Sequence, residues 1–396
     1  VPEPAPAEVD RAVEVLSSAR RPLLYLGLGA APAGERWVRM AETLEAPVST
    51  TFQGKGVFPE SHPLWLWPGF GKTAPSFVRG VAEECDAVLA VGCRFSEVGT
   101  GSWSFEMPGP LVHVDVNGEV FHRNYEATHA VRSDSLAFAE ALLSRLESVP
   151  GYPREPDTGL RERIREGHAG VREAQLADVG GDRVTPTHLL VELQRALGPE
   201  AVYATDSGNG TFLAMEGLRL DAPGRFLAPV DYSCMGYSVP AALGAGLARP
   251  DLPVVALAGD GAFLMTGLEI LTAVRERVPV AVFVLRDREL AQISQFQDVA
   301  FHRRTASELA DYDLQALCRG AGLEALRLES DERVPEVVEE VARRLESGEP
   351  VAVEVEIDYS RKTWFTRGVV RTTLGRLPWP DRLRFVSRAL WRRVTE

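Results

Sequence analysis

Leu257-Ala258-Gly259-Asp260-Gly261-Ala262-Phe263, with Val282-Phe283-Val284-Leu285-Arg286-Asp287 after it, is the stretch from which the rest of the chain is read. The apolar run from Pro253 to Ala258 predicts a strand, the Gly-Asp-Gly turn opens a helix of roughly 15 residues, and Val280 to Leu285 predicts a second strand. Strand, helix and strand in that order make one βαβ unit with parallel strands. Asp260 and Asp287, 27 positions apart, fall where those strands end. Ligands of open α/β sheets gather at such carboxyl ends. Two hard carboxylate oxygens beside a helix N-terminus suit a divalent cation that carries a diphosphate.

Upstream, the strand Val202-Tyr203-Ala204-Thr205 runs into Asp206-Ser207-Gly208-Asn209-Gly210. A strand, a loop of small residues and a helix make an anion cradle, because Gly and Ser let backbone N–H groups reach phosphate oxygens. A plain turn is the alternative for this loop. Val184-Thr185-Pro186 opens this half of the chain, with Thr185 as a helix cap and Pro186 in the first turn. Before it, residues 148–184 read as a connection holding a charged helix near Leu160 to Gln175. The first 150 residues repeat the βαβ rhythm: strands at Leu23–Leu26, Pro47–Thr50, Ala87–Gly92 and Leu111–Val116 are separated by helices at Glu35–Leu44 and Phe77–Glu84. A helix at Val9–Ala19 precedes them and one at Ser135–Leu146 closes the region. The fold class is therefore α/β, with two doubly wound domains of mostly parallel strands.

A chain of 396 residues can bury two cores. No apolar run approaches the ~20 residues of a membrane span. Val1-Pro2-Glu3-Pro4-Ala5-Pro6 lacks the basic and apolar regions of a signal peptide and reads as a linker. Cys85, Cys93, Cys234 and Cys318 form no CxxC pair, so they are expected as reduced thiols in a cytoplasmic protein, without zinc. The net charge of −13 argues against nucleic acid as a partner. Residues 361–396 carry ten Lys or Arg against Asp381 and Glu396, a net of +8. That basic tail is expected to dock on the acidic body or on a second subunit. Leu383, Val386, Leu390 and Val394 mark one face of a helix in it, and a membrane-surface role for that helix is the less favoured reading.

Gly259-Asp260-Gly261 with the polar pair Arg286-Asp287 resembles the thiamine-diphosphate motif, GDG followed some two dozen residues later by NN. Further segments resemble the acetohydroxyacid (acetolactate) synthase group and its decarboxylase and oxidase cousins. Thr51-Phe52-Gln53-Gly54-Lys55-Gly56-Val57-Phe58-Pro59-Glu60-Ser61-His62-Pro63 is similar to its GKG-FPE-HP segment, and Gly92-Cys93-Arg94-Phe95 to its GxRF segment. Val112-His113-Val114-Asp115-Val116-Asn117 is similar to IHIDID, and Ser233-Cys234-Met235-Gly236-Tyr237-Ser238-Val239-Pro240-Ala241-Ala242 to GTMGxGLPAA.

The resemblance implies a central Rossmann-like domain over residues 1–150, a linker over 151–183, a thiamine-diphosphate-binding domain over 184–360 and a basic tail over 361–396. It implies thiamine diphosphate held by Ser207, Gly208, Asn209, Gly210, Gly259, Asp260, Gly261, Ala262, Asp287, Glu289, Leu290 and Ala291. Met235 would wedge beneath the bent cofactor. Mg²⁺ would be held by Asp260, Asp287 and the main-chain carbonyl of Glu289. The implied activity is decarboxylation and carboligation of a 2-oxo acid in a homodimer or homotetramer. No catalytic residue is expected within these 396 residues, because the family's activating Glu is carried on an N-terminal pyrimidine-binding domain that the sequence does not include. The chain is thus expected to be inactive alone, as a piece of a longer enzyme; a subunit meeting a separate partner chain and a non-catalytic nucleotide- or diphosphate-binding module are the alternatives.

In acetohydroxyacid synthases the first domain holds FAD. Here the family's acidic residue after Arg-Phe is Ser96, its second arginine is Val98, its Gly-Gly-Gly turn is Gly27-Leu28-Gly29 and its Gly-Met-His is Gly69-Phe70-Gly71. FAD and an empty structural domain both stay open. His62 and His113 are expected to be structural. Gln292 and Phe296 stand where the group has Met and Trp around its acceptor pocket, so the acceptor is not fixed by the resemblance.

Overall fold

Helix α1 (Pro6–Ser18) presents Val9, Ala12 and Leu16 on one face, and all three are buried. That spacing of three and four residues is what a helix needs to cover a sheet on one side only. In this computed structural model, which describes residues 2–301, 303–384 and 387, the pattern recurs in both halves of the chain. The chain divides into two compact units. The first holds residues 1–174, 219–224 and 364–372; the second holds 175–218, 225–363 and 373–396.

In the first unit, β1 (Pro22–Leu26), α2 (Gly34–Leu44), β2 (Val48–Thr50), β3 (Trp65–Pro68), α3 (Ser76–Glu83), β4 (Ala87–Val91), β5 (Leu111–Asp115), β6 (His129–Arg132), α4 (Ser135–Leu146) and α5 (Thr158–Leu176) follow one another. The strands are parallel, in the order β3-β2-β1-β4-β5-β6. Strand order reverses between β1 and β4, the switch point of a doubly wound sheet. β1 and β4 are buried at every position, which is why they read as unbroken apolar runs. α5 adds Leu160, Ile164 and Val171 to the same core. Each such aliphatic side chain contributes roughly 1.5–3 kcal/mol.

The first unit also encloses charge. Lys55 is buried with Glu60, at 2.7 and 3.0 Å to its two oxygens. Arg219 lies over Trp65 at 4.6 Å and donates to His168 Nδ1 at 3.1 Å. His168 stacks on Trp65 and donates from Nε2 to the Trp65 carbonyl at 3.2 Å. His113 is buried and bonded to the Cys93 carbonyl, and His62 packs edge-on to Phe58.

The second unit contains α6 (Pro186–Leu197), β7 (Val202–Thr205), α7 (Asn209–Gly217), β8 (Phe226–Leu227), α8 (Ser238–Ala248), β9 (Val254–Gly259), α9 (Asp260–Thr266), α10 (Ile270–Glu276) and β10 (Val280–Arg286). α11 (Ala291–Phe301), α12 (Leu314–Gly320), β11 (Ala325–Leu328), α13 (Val334–Glu346) and β12 (Val351–Glu356) complete it. Its strands are again parallel, in the order β11-β12-β10-β9-β7-β8, with the switch point between β7 and β9. Two α/β sheets of doubly wound type are thus present, as expected.

Several local expectations need correction. The helix after Gly-Asp-Gly is not one piece: α9 and α10 are joined by a 3₁₀ turn, Gly267–Glu269. A Cβ on Gly267 would lie 2.6 Å from the Phe263 ring, so the backbone sits tight on that ring as the helix tightens. Thr185 occupies the N-cap position of α6 without capping it; its hydroxyl goes to Asp331 at 2.7 Å. β3 and β6, only four residues each, gave no strand signal strong enough to read. Cys85, Cys93 and Cys318 are buried free thiols, whereas Cys234 is exposed. In the tail, Arg361 pairs with Asp178 at 2.7 Å. Leu383 is exposed, and Val386, Leu390 and Val394 lie outside the described residues. Among the described residues no helix is long and apolar enough to cross a membrane.

Candidate functional site

The carboxyl ends of β7, β9 and β10 open into one cleft, at the switch point of the second sheet. Ser207, Gly208, Asn209 and Gly210 reach it from the loop after β7, and Met235 from the segment before α8. Gly259, Asp260, Gly261 and Ala262 line it from the end of β9; Asp287, Glu289, Leu290 and Ala291 line it from the end of β10. The structure therefore brings all of the sequence-predicted site residues together. Gln292 and Ile293 extend the same wall, while Phe296 is not part of the lining.

The loop after β7 has the geometry of a cradle. Gly208 has φ +131°, a conformation closed to most side chains, and it precedes the first turn of α7. The N–H groups of a first helical turn have no acceptor within the helix, so this end presents donors to the cleft. Asp206 holds the loop in place. Its buried carboxylate accepts from the N–H groups of Ser207 (2.9 Å), Gly236 (2.8 Å) and Ser238 (2.8 Å), and from the Ser238 hydroxyl (2.8 Å). One carboxylate thus ties the cradle to the segment that carries Met235. The Met235 Cε methyl would stand 3.4 Å from a Cβ on Gly261, so this flexible thioether side chain lies beside the Gly-Asp-Gly turn.

Asp260 is buried and clamps two strand ends together. Its Oδ1 accepts from Gly261 N and its Oδ2 from Arg288 N, both at 2.8 Å. Burial raises its pKa above the ordinary carboxylate value. Asp287 is pushed up to about 7, by burial first and then by the charges of Asp260 and Glu289. Its Oδ2 is buried with no hydrogen-bond partner. Two carboxylates that repel each other, one with an unused oxygen, are electrostatically deficient in positive charge, and they fit a divalent cation. Among the described residues no group of three His, Cys, Asp or Glu side chains is arranged to hold a metal. A third oxygen has to come from the main chain or from a ligand. The Glu289 side chain is engaged by Arg304 at 2.6 Å, which does not compete with a role for its carbonyl.

Arg286 and Asp287 point to opposite sides, as successive residues of a strand do. Arg286 is buried away from the cleft. It stacks on Tyr312 at 4.3 Å and bonds to Glu354 (2.8 Å), to the Tyr312 carbonyl (2.9 Å) and to Asp311. Arg288, at φ +61°, forks onto Glu356 with two bonds of 2.8 Å. This places a self-paired, charged hollow behind the cleft wall.

Two residues of the site were not singled out from the sequence. Asp206 stood in the quoted loop, and a carboxylate between a strand and a Gly-rich turn was the signal that could have found it. Tyr359 follows the last strand, belongs to no motif, and gave no signal, yet its ring lines the cleft.

The corresponding place in the first unit, between β1 and β4, is shut. Gly27 N donates to Val91 O at 2.8 Å and Gly29 N to Gly92 O at 3.2 Å, so both glycine N–H groups of the turn are already spent. A Cβ on Gly27 would lie 2.0 Å from Gly92 O, and one on Gly92 2.4 Å from Gly29 C. The two loops are in backbone contact where a dinucleotide diphosphate would enter. Beyond them Tyr25, Phe70, Phe95, Phe105 and Tyr125 pack ring on ring, with Phe70 and Phe105 stacked at 4.4 Å. These residues do not fit a bound FAD.

Known proteins resemble the chain along both units. The model for the central domain of thiamine pyrophosphate enzymes matches residues 9–142, and that for their C-terminal TPP binding domain matches residues 206–355. A probable acetolactate synthase large subunit of Methanocaldococcus jannaschii is 28% identical over 89% of this chain and 60% of its own length. Sulfoacetaldehyde acetyltransferase of Alcaligenes xylosoxydans xylosoxydans is 28% identical over 89% of this chain and 65% of its own. A putative acetolactate synthase large subunit of Mycobacterium tuberculosis is 32% identical over 82% of this chain and 58% of its own. The chain spans about three-fifths of the length of these curated relatives.

Proposed function

Because the chain belongs to the thiamine pyrophosphate enzyme family, with matches to its central and its C-terminal cofactor-binding domains, we propose that it serves a thiamine-diphosphate-dependent decarboxylase or carboligase acting on a 2-oxo acid, in the manner of acetolactate synthase. The observation that carries this reading is the cleft itself. A phosphate cradle, a pair of carboxylates short of positive charge and a pliable apolar side chain converge at one switch point. In this reading Asp260, Asp287 and the Glu289 carbonyl hold Mg²⁺, the N–H groups around Ser207–Gly210 take the diphosphate, and Met235 supports the rings. When bound, thiamine diphosphate supplies an electron sink for the pair released as a 2-oxo acid loses CO₂.

This chain's own residues bind and orient; none in the cleft is proposed as the activating acid. Asp206 is tied down by four hydrogen bonds and the Glu289 carboxylate by Arg304. The activating Glu is proposed to come from a pyrimidine-binding domain, in the same polypeptide or in a separate partner chain. Leu264, Met265, Leu268 and Leu271, exposed along the run from α9 to α10, support assembly with another protein surface, as a homodimer or homotetramer. The first unit is proposed to be structural and free of flavin, on the ground of its closed crevice.

The test is a screen of 2-oxo acids with Mg²⁺ and thiamine diphosphate, with product analysis, on the protein supplied with a pyrimidine-binding domain. Turnover of a 2-oxo acid that depends on both cofactors is the expected result. A folded protein that neither binds thiamine diphosphate with Mg²⁺ nor turns over any acid would sink the reading.

A further inference from the structure

Tyr359 sits at the cleft through a main chain that is held on every side. Ile357 N donates to Arg286 O at 3.2 Å and Asp358 N to Val184 O at 2.9 Å. Ser360 bonds to the Asp358 carboxylate through its N–H (2.8 Å) and its hydroxyl (3.0 Å). The Tyr359 carbonyl accepts from Gln295 Nε2 at 3.1 Å. The ring is thus aimed, and its hydroxyl comes within 3.7 Å of the position a Cβ would take on Gly210, in the first turn of α7.

Among the described residues the hydroxyl makes no hydrogen bond. The same cleft holds the unpartnered Oδ2 of Asp287. A donor and an acceptor therefore face one cavity without satisfying each other. A buried acceptor left this way is costly, and the half-buried phenol beside it has its donor turned into the same cavity. A carboxylate calls for a cation and a phenol beside helix N–H groups calls for an anion; a metal-bound phosphate answers both.

We propose that the Tyr359 hydroxyl donates a hydrogen bond to the diphosphate seated on the Ser207–Gly210 cradle, which makes Tyr359 a cofactor-binding residue outside the recognised motifs. This rests on the thiamine-diphosphate reading of the cleft. Burial, with Asp287 and Asp260 nearby, pushes the phenol well above the ordinary tyrosine value, so the proton it would donate is retained at neutral pH.

The protein and its Tyr359→Phe variant are titrated calorimetrically, with Mg²⁺ present, against thiamine diphosphate, inorganic diphosphate and thiamine. The variant keeps the ring and removes only the donor. Affinity for both diphosphates is expected to fall about tenfold or more, as for a lost hydrogen bond to a charged group. Ligand-free melting should stay the same, and any thiamine binding should be unaltered. Equal affinity of the two proteins for the diphosphates overturns the role of Tyr359 and leaves the cleft reading intact. No binding of either diphosphate by the unaltered protein overturns both. A ligand-free melting temperature that drops along with affinity assigns the ring to packing and also overturns the proposal.

Discussion

The two sheets of this chain share an architecture and differ at the point where such sheets bind. Each has six parallel strands and one place where strand order reverses. In the first unit that place is closed by backbone on backbone, with Gly27 and Gly29 bonded to the end of β4. In the second it is open, and the side chains that line it include an acceptor and a donor with no partner. Identical wiring therefore does not make a binding site. What the second has is polar groups held in place by the fold and turned, unpartnered, into an open cleft. In the first unit Lys55 pairs with Glu60, and His168 accepts from Arg219, inside the core.

The sharpest way to break the comparison is at Asp260. Asp260→Ala removes one of two carboxylates and the clamp between β9 and β10. Mg²⁺-dependent affinity for thiamine diphosphate should fall by at least about a hundredfold, as read by calorimetry. Unchanged affinity would remove the basis for calling the second crevice the working one.

The closed crevice of the first unit can be challenged with Gly92→Ala. Gly92 has φ +61° and abuts Gly29, so a methyl group there should cost about 2–3 kcal/mol in denaturant unfolding. Added FAD should be retained by neither the variant nor the parent protein. A yellow protein with stoichiometric flavin would show that the two crevices are more alike than their backbones suggest.

A smaller effect follows from His168. Burial first, and then the Arg219 charge, lower its pKa from 6.5 to about 3. Nδ1 accepts from Arg219, so a proton there would set donor against donor. The unfolded chain takes up this proton near pH 6.5 while the folded chain does not until about 3. The stability tied to neutral His168 is therefore complete above pH 6.5 and is lost as pH falls through that window. Melting temperature should drop by several degrees between pH 7 and 5, and His168→Asn should flatten the profile. An unaltered profile would mean that this cluster is wetter than its packing indicates.

How far the residues could be read depended on whether their signal was local. β1, β4 and β10 are buried along their length, and β9 up to its last residue, and unbroken apolar runs announce that in any chain. The Gly-Asp-Gly turn and the Ser207–Gly210 loop carry their chemistry within five residues, so they too were legible. β3, set between Pro63 and Pro68, was not; its Trp65 and Trp67 become strand only by pairing with β2. Thr185 looked like a cap because Asp331, far along the chain, is not visible from Thr185-Pro186. Tyr359 was silent for the same reason. Its importance lies in facing Gly210 and Asp287, and distance in sequence hides that.

Arg286 and Asp287 are neighbours in the chain and strangers in the fold. One is locked into a hollow of opposite charges on the outer side of β10, and the other looks into the cleft. The side chain at the first position thus answers to Asp311, Glu354 and Tyr312, whereas the one at the second answers to whatever the cleft must hold. A two-letter signature spanning both positions joins two different tasks. Scored by side of the strand instead of by adjacency, a sequence that keeps the inward carboxylate and replaces the outward residue keeps the cleft's own oxygen ligand, and what changes for the cleft is the charge that Asp260 feels from across the strand.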